Sequence, residues 1–373
     1  MRKFQVEIFH IWITTLHLRT GNLPALLKVS TLATFRVPWE SRAIQPLLNH
    51  SNYRLKHRRK KLNCYCRAYN DHTMSDAYRI APQFGNTLPR LSDPLLVVMF
   101  SGWIDTSVAA GNAMEALIAE TGATDLLEFD TDLFVDYRAR RPTMELREGV
   151  NTKLDWSAPH MMIGHDVNHR DVLLLTGPEP DSRWKQFADE VAALSTTLGV
   201  RRMLGLGAYP VATPHTRAVQ ISCTSPNAQL IHTLPYIKSS LDVPAGMEAA
   251  LEHALHNQNI DALGLWAQVP HYVASMAYPP ASAALLGAVC DVGGLTLDFS
   301  GILEQAVVQR ERLDQLVRTN PEHAAMLTQL EIAFDTEHSG NGTLTTGFGG
   351  VPLPSGDELA AELEKFLREN QTD

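Results

Sequence analysis

From residue 94 onward, short apolar runs alternate with longer stretches of helical period, and this alternation restricts the chain to an α/β fold: a mainly parallel open sheet with flanking helices. PLLVVMF (94–100) contains no polar side chain, so both of its faces need cover, as a strand inside a parallel sheet has. SGWIDTS turns the chain, and VAAGNAMEALIAETG (108–122) reads as a helix, with Asp105, Thr106 or Ser107 near its start and Gly122 as its stop. DLLEFDT (125–131) is a second expected strand. TMELREG (143–149) and NTKLDW (151–156) alternate apolar with polar residues, the pattern of a hairpin-like antiparallel excursion. HMMIGHDV and DVLLLTG (171–177) come next, then the helix RWKQFADEVAALSTTLG, ended by Gly199. RMLGLGAYPV (202–211) and DALGLWAQV (261–269) read as buried strands and QISCTS (220–225) as a further one. PAGMEAALEHALHN (244–257) and AYPPASAALLGAVCDVGG (277–294) read as helices. Sites in such a sheet are expected in loops at the carboxyl ends of its strands.

Past residue 300 the strand pattern stops. ILEQAVVQRERLDQLVRT and EHAAMLTQLEIAFDTE read as helices, the second introduced by Asn320-Pro321, an N-cap followed by proline at the first helical position. SGNGTLTTGFGGVPLPSG (339–356) reads as a connector. DELAAELEKFLREN then opens with the capping box Ser355-x-x-Glu358 and sets Leu359, Leu363, Phe366 and Leu367 on one face, to be buried on its own subunit or on another. The expected organisation is a basic extension (1–78), an α/β core domain (90–300) and a helical C-terminal region (301–373).

Charge divides the chain more sharply than hydropathy does. Residues 1–73 hold 13 Lys/Arg against 3 Asp/Glu, whereas the remaining 300 hold 19 against 38. An acidic body is repelled by phosphate backbones and anionic lipid, so neither nucleic acid nor membrane is an expected partner. RLKHRRKK (54–61) is the one segment of nucleic-acid-binding or localisation character. The extension has no sustained period, and Met74 opens a stretch, MSDAYRIAPQF, whose composition matches the rest of the protein. Residues 1–73 are therefore expected to be disordered, or to lie upstream of a true start at Met74. IFHIWITTLHL is short and lacks a small-residue cleavage site after it, and no stretch has the roughly 18 apolar residues of a spanning helix, so a cytoplasmic protein is expected. Cys64-x-Cys66 lacks a second pair, and Cys223 and Cys290 read as reduced core residues.

Several chemistries lack their motifs. GLGAYP misses the third glycine of a dinucleotide fingerprint, and there is no G-x-x-x-x-G-K-[ST], G-x-S-x-G or H-E-x-x-H, so no cofactor and no metal are expected. His165 and His169, like His253 and His256, read as solvent-facing. There remain VATPHTRAVQ (211–220) and VPHYVASMAYPP (269–280), two Pro-His elements that each succeed a buried strand and therefore share one edge of a parallel sheet. In a catalytic reading Arg217 clamps an anion, His215 or His271 serves as acid/base, and Asp105 from the first loop orients one of them. In the alternative, these groups satisfy loop carbonyls and hold subunits together.

GWIDTSVAAGNA (102–113), GAYPVATPHTR (207–217), VPHYVASMAYPPASAALL (269–286), LEIAFDTE (330–337) and LPSGDELAAELEKFLRE (353–369) together resemble the proteasome assembly chaperone 2 family, specifically its actinobacterial branch. The likeness covers nearly all of 90–369 and none of 1–73. It implies an α/β core similar to that of nucleoside phosphorylases and related hydrolases, a C-terminal helical addition, and a homo-oligomer, with a trimer as the expected order. It brings no agreed activity or catalytic set, so Asp105, His215, Arg217 and His271 stand as candidates. The expected function is a non-enzymatic interaction or assembly factor with a proteasome-related or other protein partner. The alternative is a nucleoside phosphorylase- or hydrolase-like enzyme acting on a small anionic substrate.

Overall fold

The structure, a computed structural model, describes residues 77–85 and 87–339. In chain order these form β1 (Tyr78–Ile80), β2 (Leu95–Ser101), α1 (Ala109–Thr121), β3 (Thr124–Phe129), α2 (Thr131–Phe134), β4 (Thr143–Arg147), β5 (Val150–Asp155), β6 (His160–His165) and β7 (Asp171–Pro178). They continue with α3 (Trp184–Leu198), β8 (Arg202–Val211), β9 (Ile221–Thr224), α4 (Ala228–Thr233), α5 (Met247–His256), β10 (Asp261–Pro270), α6 (Pro279–Gly293), α7 (Ser300–Arg318) and α8 (Pro321–Ser339). The basic segment 1–73, the connector beyond Ser339 and the helix expected from Asp357 lie outside the described residues, as do Cys64 and Cys66.

Eight strands form one sheet in the order β1-β3-β6-β7-β2-β8-β10-β9, and β4 and β5 pair as a separate antiparallel hairpin. Only the central strands β7, β2, β8 and β10 run parallel. β1, β3, β6 and β9 pair antiparallel, so the sheet is mixed where a mainly parallel one was expected. Connection length explains the difference. A parallel pair needs a crossover of about a dozen residues or more, and the short turn between His165 and Asp171 permits only the antiparallel pairing of β6 with β7. Buried Asp166 fixes that turn by accepting hydrogen bonds from the Asn168, Arg170 and Thr296 backbone N–H groups at 2.8, 2.9 and 3.0 Å.

β2 shows why its sequence is uniformly apolar. Leu95, Val97 and Met99 enter one core with α1 and α6, and Leu96, Val98 and Phe100 enter the other with α3 and α5. Each such side chain contributes about 1.5–3 kcal/mol when fully buried. In the second core Phe129, Phe134 and Phe187 meet with ring centroids 4.6–6.2 Å apart. α7 lies against α6 and α8 against α7, so the C-terminal helices extend the layer that α1 and α6 begin. Cys223 and Cys290 are free thiols, and His165, His169, His253 and His256 are exposed. No helix among the described residues is long and apolar enough to cross a membrane.

Candidate functional site

β8 ends at Val211, and the loop after it turns through Pro214, whose carbonyl accepts from the Arg217 N–H at 3.4 Å. Three successive residues of that loop reach the C-terminal helices. His215, with its side chain 1% exposed, places Nε2 3.1 Å from Asp314 Oδ1 on α7. The Thr216 hydroxyl donates to Glu331 on α8. Arg217 grips Asp335 with both prongs, Nε to Oδ1 at 2.8 Å and Nη2 to Oδ2 at 2.6 Å, and brings Nη1 to 3.3 Å from Glu331 Oε1. From α7, Arg310 returns a bond of 3.1 Å to the Thr216 carbonyl.

Tyr272, directly after the second Pro-His pair, completes the arrangement. Its hydroxyl lies 2.7 Å from the His215 backbone N–H and 2.8 Å from His215 Nδ1. The hydroxyl accepts from the backbone N–H and also meets Nδ1, while Nε2 faces the Asp314 carboxylate. Burial, reinforced by Glu331 and Asp314, pushes the Tyr272 hydroxyl up to about 12, although the His215 N–H opposes it. His271 packs edge-to-face on the same ring at 5.4 Å and His215 at 5.9 Å, so the two Pro-His elements are neighbours through Tyr272. The His271 ring is exposed, with Nδ1 3.4 Å from the Val211 carbonyl.

Asp105 does different work. Its Oδ1 accepts from Ala110 N–H at 2.8 Å and Oδ2 from Gly111 N–H at 3.0 Å, which caps α1. Burial raises its carboxyl above the usual range, and these N–H groups pull it back. The loop it belongs to is fastened to the other signatures by Ser107 Oγ, which donates to the Val273 carbonyl at 3.1 Å, and by a parallel bridge from Asp105 to Ala208. GWIDTS, VATPHTR and VPHY thus gather at the carboxyl ends of β2, β8 and β10. Asp105 makes no hydrogen bond to either histidine among the described residues. Arg217 carries two carboxylates and His215 has both ring nitrogens engaged, so the cluster as built fastens α7 and α8 to the sheet. His215, Thr216 and Arg217 meet carboxylates of the same chain, whereas His271 meets the Val211 carbonyl.

The acidic half of this fastening, Asp314, Glu331 and Asp335, was not anticipated, although Glu331 and Asp335 stand at i and i+4 within LEIAFDTE. A second group was missed altogether. On the α5 face, at the ends of the same strands, Trp103, Ile104, Asp105, Glu179, Glu248 and Trp266 are among the residues that enclose a cavity of about 10 Å³. Glu248 and Glu252, one turn apart on α5, are both buried. Desolvation drives Glu248 well above the carboxylate range, helped by Glu252, while burial lifts Glu252 to about 7 against the hydrogen bond from Thr224. The signal for this group was in the glycines. A Cβ on Gly205 would stand 2.8 Å from Glu248 Oε2, one on Gly264 2.7 Å from Glu252 Oε1, and one on Gly246 2.6 Å from the Trp103 ring. The glycines that punctuate β8 and β10 therefore clear space for side chains.

The family model described as PAC2 family matches residues 99–317. Among solved structures, a Mycobacterium tuberculosis protein of unknown function is 30% identical, covering 74% of this chain and 95% of its own with a TM-score of 0.65. The Mycobacterium tuberculosis proteasome-assembly chaperone homologue is 31% identical over 62% of this chain and 99% of its own, TM-score 0.58. A Streptomyces avermitilis PAC2 family protein is 31% identical over 63% and 100%, TM-score 0.57. No curated protein matches the chain in sequence. The family model spans more than half the sequence, from β2 into α7, and takes in the three signatures that meet at the strand ends: the chain belongs to the PAC2 family.

Proposed function

We propose that the protein is a cytoplasmic, non-enzymatic, homo-oligomeric assembly factor acting on proteasome-related protein partners, with a trimer as its expected order. The observation that carries this reading is the clamp from His215, Thr216 and Arg217 to Asp314, Glu331 and Asp335. It holds two long helices against the sheet while Leu303, Val307, Val308, Leu316 and Ile332 on them stay exposed. Large aliphatic side chains presented on a fixed helical surface suit contact with another protein. The similarity to a proteasome-assembly chaperone homologue supports the same direction. The likeness of the core to nucleoside phosphorylases belongs to this proposal as a statement of fold, and fold alone assigns no reaction. An enzyme binding a small anion through Arg217 would have to exchange Asp335 and Glu331 for its substrate, so this second reading is the weaker.

The test mixes the purified protein with purified proteasome α-subunits and follows mass by native mass spectrometry. A defined complex that is weakened in a Val307→Glu, Val308→Glu double variant is the expected result. Absence of any complex at tens of micromolar overturns the reading. A stabilising effect of phosphate that vanishes in Arg217→Ala would favour the enzymatic alternative instead.

A further inference from the structure

The hairpin of β4 and β5 stands outside both cores. It pairs with no strand of the main sheet, and no residue of either strand is buried. Its two faces differ in kind. Met144 pairs with Leu154 across the hairpin and Leu146 stands two residues from Met144, so these three share one face, 49%, 42% and 51% exposed. On the other face Glu145 pairs with Lys153 and Thr143 with Asp155. The charged groups have partners within the hairpin, Arg147 lying 3.3 Å from Glu145 and Lys153 3.1 Å from Asp155. The apolar face has none. A lone two-stranded hairpin is at best marginally stable in water, so this one needs a second surface to pack on.

A receiving surface opens at the hairpin's base. It is a groove of about 760 Å³ whose lining includes a cross-strand row in register, Arg79 of β1, Glu128 of β3 and His160 of β6. A cleft of this size encloses a drug-sized ligand, and it holds a few large side chains equally well. Ile80, Leu127 and Pro178 supply apolar walls. Asp125 and Glu128, both exposed, form no ion pair among the described residues. The hairpin carries the complement: aliphatic side chains on one face, and Lys153 and Arg147 in exposed pairs that exchange partners at little cost. In its own chain the hairpin leaves this groove rather than enters it, since Asp155 lines the groove and no other residue of β4 or β5 does. A second copy brings an identical hairpin to it. Such a contact joins unlike surfaces, and repeating it from copy to copy closes a ring.

We propose that the β4–β5 hairpin of one copy docks in the groove beside β1, β3 and β6 of a second copy. Met144, Leu146 and Leu154 meet the apolar walls, while Lys153 and Arg147 approach Asp125 and Glu128. This inference rests on the homo-oligomeric reading given above and names the surfaces that build the oligomer. It is separate from the aliphatic surface of α7 and α8, because no residue of either helix lines the groove.

Sedimentation and native mass spectrometry of the full chain over a concentration series test the proposal. An arm variant, Leu146→Glu with Leu154→Glu, and a groove variant, Asp125→Lys with Glu128→Lys, should each associate at least about tenfold more weakly than the wild type. All four positions are exposed, so both variants should keep the wild-type circular dichroism spectrum. Leu241→Glu with Val243→Glu adds the same charge at exposed positions outside hairpin and groove, and should leave association unchanged. Mixing the arm variant with the groove variant joins one intact arm to one intact groove, and a heterodimer should form that neither gives alone. In addition, p-benzoylphenylalanine at position 146 should photocross-link at dimer mass to residues 79–82 or 125–128 of a second copy. A wild type that stays monomeric at roughly 50 µM overturns the homo-oligomeric reading and this inference together. An oligomer that is indifferent to the arm or groove variant, equally weakened by the control, not restored by mixing, or cross-linked from position 146 only at monomer mass or only to other segments overturns this inference alone.

Discussion

Arg217 and Asp335 form a two-pronged ion pair across 118 residues of sequence, at 2.8 and 2.6 Å, and so join the loop after β8 to the last described helix. The pair is partly open to water, which limits its share of global stability, but it is geometrically specific. Arg217→Lys retains the charge and loses the fork, and Arg217→Ala loses both. Hydrogen–deuterium exchange along α8 should accelerate in the order wild type, Lys, Ala, with little change in the melting temperature and none in exchange at β2.

His215 is buried and its bonds to half-buried Tyr272 are largely shielded from water, so their loss should register globally. Tyr272→Phe leaves the His215 backbone N–H without its acceptor and Nδ1 without its hydroxyl partner, a cost of about 1–3 kcal/mol in unfolding free energy. His215→Ala should cost at least as much. The double variant should destabilise by less than the sum of the two, because the residues share the interaction. Additive losses in chemical denaturation would show that the hydroxyl does not serve the histidine.

The interior strands and long helices were legible because their patterns are dictated by burial: PLLVVMF has two apolar faces to cover, and Asn320-Pro321 starts α8 with Asn320 Oδ1 accepting from the Glu322 N–H at 2.9 Å. β1 was not legible, since three residues with one exposed in the middle carry no period. The site was half legible. Strand-end loops following parallel strands share an edge whatever their side chains, and this brought His215 and His271 together. Asp314, Glu331 and Asp335 gave no warning because carboxylates on a polar helix look the same whether they meet solvent or a loop. Glu248 and Glu252 were hidden for the opposite reason: in MEAALEHALH they occupy positions expected to face water, and only Gly205 and Gly264, opposite them on β8 and β10, betray that they point inward.

Glu252 makes stability depend on pH in an unusual direction. Its carboxyl is raised from 4.5 to about 7 in the folded protein, so between these values the native state binds more protons than the unfolded state. Stability is then fully present below about pH 4.5 and is lost as pH rises through about 7, by up to roughly 3 kcal/mol. Glu248, shifted in the same direction by burial and by Glu252, adds to the loss. The melting temperature of Glu252→Gln relative to the wild type should therefore increase from pH 5 to pH 8. A constant difference would place the charge on Glu252 throughout.

Ser107 and Val108 both have positive φ, 63° and 55°, at the junction of the first loop with α1. A β-branched residue is a poor occupant of this region, and Val108 keeps its side chain 58% exposed, so little packing compensates. Asparagine adopts the left-handed conformation with less strain. Val108→Asn should raise stability by about 1 kcal/mol, read as an increase in the denaturation midpoint at constant slope.

Two glycine-to-alanine changes should have opposite signs. At Gly207 a Cβ would fall 2.3 Å from the Trp266 ring, and the neighbour is a rigid indole packed on the face of β8 and β10, so the ring or the strand must move. Overpacking of this kind costs about 1–3 kcal/mol. At Gly287, inside α6, a Cβ meets nothing within 4 Å, and alanine restricts the unfolded chain and favours the helix, a gain of about 0.5–1 kcal/mol. Because Trp266 also walls the cavity, Gly207→Ala should alter the intrinsic tryptophan fluorescence of the folded protein while Gly287→Ala leaves it unchanged. A destabilised Gly207→Ala with the wild-type spectrum would mean that the strand yields rather than the indole, and the aromatic wall beside Glu248 would then be fixed more firmly than its single-sided contact with glycine implies.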